Sequence, residues 1–181
     1  SSSRKVKSDF QVNTVVIDAG HGGRDPGALG SISKEKDVVL SVALKVGKYI
    51  EEYLPNVKVV YTRKTDEFIT LKGRPEIANN NDGDVFISIH ANSLPKETST
   101  ARRNSIYGTE TYIMATKNSG RNLEVAKREN SVILLEENYE KEYDFDPSSP
   151  ESAILFSLTT SAYQARSTIL AAYIEDQFAK R

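Results

Sequence analysis

A β-branched run, Thr14–Ala19 (TVVIDA), leads straight into Gly20–Gly30, a segment that holds five glycines and Pro26. The run reads as a buried strand. The glycines read as a loop whose backbone needs unusual dihedrals or lies close against something. Next comes a helical pattern, with Val39, Val42, Val46, Tyr49, Ile50 and Tyr53 at three- and four-residue spacing. Ser33 reads as its N-cap, Glu35 falls in its first turn, and Pro55 ends it. Strand, glycine loop and helix in that order point to an α/β architecture.

The rest of the chain continues this alternation. Val57–Thr62 reads as a second strand, Leu71–Asn80 as a short helix, Asp84–Ile89 as a third strand and Ile106–Met114 as a fourth. One helix is expected from Asn118 or Ser119 to about Glu137. Another opens at Ser149 and Pro150 and runs to about Phe178. The expected fold is a single α/β domain, with a mostly parallel or mixed twisted sheet and helices on both faces. Residues 1–13 read as a polar leader or linker. In such sheets ligands bind at the carboxyl ends of the strands.

Both histidines of the chain fall at such ends, His21 in IDAGHGG and His90 in FISIHAN. Two imidazoles with one carboxylate form a usual zinc donor set of a hydrolase, and Glu35 is the candidate carboxylate. Each residue also has an ordinary reading. His21 suits a loop histidine with a local hydrogen bond, His90 a polar strand terminus, and Glu35 a carboxylate favoured by the helix dipole. Asp18 either orients His21 from behind or caps the glycine loop. Asn92 is a candidate for hydrogen bonds to substrate or loop backbone.

Several function classes are disfavoured. Gly20-His21-Gly22 is followed by Asp25 where a dinucleotide fingerprint needs glycine, and Gly27 by Ala28-Leu29 where a phosphate loop needs Lys-Ser/Thr. With 24 basic and 25 acidic residues, the chain lacks the basic surplus of a nucleic-acid binder. The absence of cysteine excludes disulfides and thiolate ligands. No apolar run approaches the ~20 residues of a membrane span. SSSRKVKSDF lacks the apolar core of a secretion signal.

Taken together, the motifs VVIDAGHGGRDPGALG, EKDVVL, VVYTRKTDEFITLKGRPEIAN, DVFISIHAN and GTETYIM, in this order, resemble the zinc-dependent N-acetylmuramoyl-L-alanine amidases, the type 3 cell-wall amidases. The resemblance runs from about Thr14 to the end of the chain. It implies that His21, Glu35 and His90 bind Zn2+. It also implies cleavage of the amide between N-acetylmuramic acid and L-alanine in peptidoglycan, at an extracytoplasmic location and with a possible protein activator. Arg63 and Arg74 are expected to hold the scaffold.

The family pattern continues with a strand carrying a second glutamate, in a motif like V-E-x-G-F, which serves as general base and acid. That motif is not found here, and Glu110 matches a different family position. The catalytic domain is therefore expected to span 14–181 without its last strand, with the catalytic Glu beyond Arg181. The alternative is a non-catalytic zinc-containing peptidoglycan-binding domain. The acidic stretch Asn138–Pro150 is either a solvated loop or a lid whose Glu140, Glu142 or Asp144 reaches the metal.

Overall fold

The structure is a computed structural model that describes residues 11–94, 98–113 and 164–180. The chain divides into two compact units, 1–93 and 94–181. The first contains β1 (Thr14–Ala19), α1 (Glu35–Tyr53), β2 (Lys58–Tyr61), α2 (Gly73–Asn80) and β3 (Val85–Ile89). The three strands form a parallel sheet in the order β2-β1-β3. β1 is central, which is why all six of its residues are buried and why it shows no apolar–polar alternation.

The pleat sends β1 side chains to two different layers. Val15, Ile17 and Ala19 meet Val39 and Ala43 of α1, with Val46, Ile50, Val85, Ile87 and Ile89 packed around them. Asp18 points to the other face, where Arg74 of α2 reaches it. Helices thus cover both faces of this sheet, as expected.

Three details differ from the sequence expectation. First, the core side of α1 is Val39, Ala43, Val46, Gly47 and Ile50, whereas Val42, Tyr49 and Tyr53 are exposed. The sheet buries only the middle of a broad apolar arc. Gly47 lies on that seam because a Cβ there would meet the Tyr61 ring. Second, the N-cap is Lys34 rather than Ser33, with no side-chain cap. The glycine loop supplies the missing acceptors: Glu35 N–H donates to Ala28 O and Lys36 N–H to Pro26 O. Ser33 O instead accepts from Gly30 N–H and closes the turn before the helix. Third, β2 and β3 are a residue or two shorter than read, and α2 begins at Gly73, not Leu71.

Asp84 ties the two strand starts together. Its Oδ2 accepts from the backbone N–H of Asn13 at 2.7 Å and of Thr14 at 2.9 Å, while its own N–H donates to Thr14 O. The bonds from Asn13 and then Thr14 hold its carboxyl below the usual range. The ionised form therefore stabilises the fold above the unfolded value of about 3.9, and that contribution is lost as pH falls through the lower folded value. Asp84→Asn should be less stable than wild type at pH 6 in urea melts. The gap should close toward pH 3, and a gap that is independent of pH would count against this assignment.

In the second unit, α3 spans Thr100–Ser105, with Ser99 Oγ accepting from Arg102 N–H, and α4 spans Gln164–Ala179. No strand forms over 106–113, against the expected fourth strand; Tyr107 and the stretch around it lie exposed. Alternating polar and apolar residues make a strand only where a neighbouring strand takes up the backbone bonds. Glu110, read as a strand residue, instead accepts a hydrogen bond from Tyr112 Oη. The expected helix over 118–137, the acidic stretch Asn138–Pro150 and the start of the last helix lie outside the described residues.

Candidate metal centre

The loop after β1 and the end of β3 are joined directly, since Gly20 N–H donates to Ile89 O at 3.0 Å. This contact sets His21 and His90 side by side, ring centroids 4.9 Å apart and edge to face. Glu35, the first residue of α1, enters from the third side. His21 Nε2 lies 3.2 Å from Glu35 Oε1 and 3.2 Å from His90 Nδ1, and His90 Nδ1 lies 3.4 Å from Glu35 Oε1. Among the described residues, these three form the group of donors that can hold a metal ion.

The spacing can be tested against zinc chemistry. Ligand distances of ~2.0–2.2 Å around a tetrahedral ion place neighbouring donors ~3.3–3.6 Å apart. The three separations fall on or just under that edge length, so the donor set fits such an ion. His21 and Glu35 are buried, and His90 is the open member, its side chain 27% exposed.

Glu35 has both oxygens engaged. Oε1 faces the histidines and accepts from Ala91 N–H at 2.7 Å, while Oε2 accepts from Ala28 N–H at 2.8 Å. Burial pushes its carboxyl pKa up. The bonds with His21, His90, Ala28 and Ala91 outweigh burial and leave it well below the carboxylate range. It is an anion at neutral pH, as a metal ligand must be.

The residue beside His21 that sequence reasoning missed is Asp25, whose Oδ2 lies 2.7 Å from His21 Nδ1. Burial raises its pKa too, but His21 and the Gly27 N–H hold it below the usual value. Asp18 was the sequence candidate for that place. Its carboxylate accepts instead from Thr62 Oγ1, Arg74 Nη1 and Ser88 Oγ, at 2.6–2.7 Å. The β pleat explains this, because Asp18 faces the α2 layer. Asp25 returns to His21 only through the turn in which Gly22 and Asp25 exchange backbone bonds. The surviving signal was the i,i+4 spacing of His21 and Asp25. Asn92 lies two residues beyond His90, at an exposed position.

Two buried arginines hold the loop, as the sequence suggested. Arg63 donates to the carbonyls of Ala19, Gly20, Lys36 and Thr65. Arg74 donates to Asp18 and to the carbonyls of Ala19, His21 and Ile69. The Arg74 bond helps keep His21 at φ 58°, a left-handed conformation that costs a non-glycine residue roughly 1–3 kcal/mol. Lys36 and Asp66 pin the neighbouring Gly23 through its O and N–H.

The glycines are spacers for the three donor side chains. A Cβ on Gly27, at φ 63°, would lie 2.6 Å from His21 Cδ2 and 2.8 Å from Glu35 Cβ. A Cβ on Gly20 would lie 2.4 Å from His90 Cε1. Gly20→Ala should therefore displace His90 and weaken any metal binding at this centre by at least about 10-fold, by analogy with the loss of a residue that orients a ligand. Competition with a chromophoric chelator measures this, and unchanged affinity would show that the His90 ring is not packed on Gly20.

A parallel α/β sheet with two histidines and a glutamate gathered at its strand ends defines a candidate metal centre of hydrolytic type. The family model for N-acetylmuramoyl-L-alanine amidase matches residues 15–181. The chain belongs to the N-acetylmuramoyl-L-alanine amidase family.

Relatives include the sporulation-specific N-acetylmuramoyl-L-alanine amidase of Bacillus subtilis, 39% identical over 79 residues, 44% of this chain and 31% of that one. AmiA of Escherichia coli K12 is 42% identical over 94 residues, 51% of this chain and 32% of that one. A putative amidase of Buchnera aphidicola is 32% identical over 131 residues, 70% and 51% of the two chains. Among solved structures, the catalytic domain of CwlV, an amidase from Bacillus (Paenibacillus) polymyxa, is 46% identical, covers 48% of this chain and 49% of that one, and has a TM-score of 0.45. The chain spans about a third to a half of the length of the curated relatives it matches.

Proposed function

We propose that this chain acts in hydrolysis of the amide bond between N-acetylmuramic acid and L-alanine of peptidoglycan, with zinc as its metal. The observation that carries the reading is the convergence of His21 Nε2, Glu35 Oε1 and His90 Nδ1 at the spacing of tetrahedral ligands. Family membership supplies the bond to be cut.

In this reading the three side chains would hold the ion, with His90 the member exposed to solvent. A zinc ion there would supply Lewis acidity for the amide carbonyl and lower the pKa of a water from ~15.7 toward ~7. Two neutral imidazoles and one carboxylate leave a net positive charge to draw the carbonyl oxygen. Glu35 is not the proton carrier, because backbone N–H groups and the histidines occupy both of its oxygens. That step falls to the second glutamate of the family pattern. Asn92 stands at the exposed rim as a substrate contact. Peptidoglycan as macromolecular partner and a place of action outside the cytoplasmic membrane belong to the same reading. Among the described residues no helix is long and apolar enough to cross a membrane.

Incubation of protein that carries this second glutamate with purified sacculi tests it. Stem peptides with a free L-alanine N-terminus should appear in the supernatant by mass spectrometry, and chelation of zinc should abolish them. Protein that pellets with sacculi and releases no peptide, with or without zinc, would support a binding module instead.

A further inference from the structure

We propose that Asp25 is a positioning residue that makes His21 offer Nε2 to the metal, while His90, packed against Gly20, offers Nδ1. The inference rests on the metal reading above and deepens it.

A neutral imidazole has one N–H and one lone pair, and only the nitrogen with the lone pair can ligate. At His21 the choice is made by Asp25. The two side chains are buried together, with Oδ2 2.7 Å from Nδ1. An ionised carboxylate only accepts, so Nδ1 carries the proton and Nε2 the lone pair. Nε2 is the atom that lies 3.2 Å from both Glu35 Oε1 and His90 Nδ1.

Asp25 is itself held in place. Its Oδ1 accepts from Gly27 N–H at 3.0 Å, and its backbone bonds Gly22 in both directions, at 2.9 and 3.1 Å. One carboxylate thus ties the turn, the tautomer and the ring orientation together. His90 is oriented differently. Its ring lies across the α-carbon of Gly20, where a Cβ would stand 2.6 Å from Nε2 and 2.8 Å from Nδ1. Removal of the Asp25 carboxylate should therefore take away the acceptor for His21 Nδ1–H while leaving Gly20 under the His90 ring.

The experiment uses 15N-histidine-labelled protein loaded with 113Cd2+ in place of zinc. Scalar coupling to cadmium is expected at His21 Nε2 and His90 Nδ1, with a proton on His21 Nδ1. Coupling at His21 Nδ1 overturns the assignment while leaving the metal reading intact. A wild-type protein that takes up neither zinc nor cadmium removes both. In chelator competition, Asp25→Ala should bind zinc roughly 10–100-fold more weakly. Asp25→Asn, which keeps an acceptor for Nδ1–H, should fall between Asp25→Ala and wild type. Zinc affinity of Asp25→Ala equal to wild type would overturn the positioning role.

Discussion

With zinc at the proposed centre, Glu35→Ala is expected to abolish its stoichiometric binding and with it any zinc-dependent gain in stability. Loss of a ligand should weaken affinity well beyond the roughly 10–100-fold that accompanies loss of a residue behind a ligand. Zinc at about 1,000 times its Kd stabilises a folded protein by ~4 kcal/mol. At about 2–4 °C per kcal/mol for a chain of this size, that is a rise of ~8–16 °C in Tm. Wild type should show this rise in a thermal melt, and Glu35→Ala should stay flat. The change also removes the acceptor for Ala91 N–H, next to His90, and for Ala28 N–H, before α1. The metal-free Tm should therefore fall slightly as well. A Glu35→Ala protein that still melts higher with zinc would place the ion elsewhere.

Arg74→Ala should be the most damaging single change away from the ligands. Arg74 and Asp18 form an ion pair at 2.6 Å with side chains only 9% and 3% exposed. Removing one partner of a buried pair costs about 3–5 kcal/mol, because the other charge is left buried and uncompensated. That is a large share of the total stability of a domain. The Tm should drop by about 6–20 °C. The Thr62 and Ser88 hydroxyls stay bonded to Asp18 but do not neutralise it. A double variant, Asp18→Leu with Arg74→Met, should recover part of the loss, since an apolar pair carries no buried charge. It should not recover zinc affinity fully, because the Arg74 bond to His21 O is gone in both. A shift below about 2 °C in Arg74→Ala would mean that the pair is far more hydrated than its burial indicates.

Much of the first unit was readable from local pattern. Thr14–Ala19 is a strand with the bounds read from its β-branched run, and α1 begins at Glu35 and ends one residue before Leu54. His21, Glu35 and His90 were singled out because strand ends and a helix start concentrate at one edge of an α/β sheet. The local pattern failed where a second segment decides. Ile106–Ile113 alternates well enough for a strand but has no strand pairing. Val42, Tyr49 and Tyr53 fit the helical period but lie beyond the reach of the sheet. Ser33 is a good capping residue, yet the carbonyls of Pro26 and Ala28 already satisfy the first turn.

The sequence by itself determined the donor types, the order of strand, glycine loop and helix, and the family. These depend on residue chemistry and on spacing within a few positions. Only the tertiary structure decided that His21 Nε2, rather than Nδ1, faces His90 and Glu35, that Asp25 and not Asp18 stands behind it, and that Gly20 and Gly27 leave room for ligand rings. Each of these depends on atoms from segments up to 70 residues apart, such as Ser88 and Asp18. The pleat turns Asp18 to the face of Arg74, and the Gly22–Asp25 turn brings the other carboxylate back to His21.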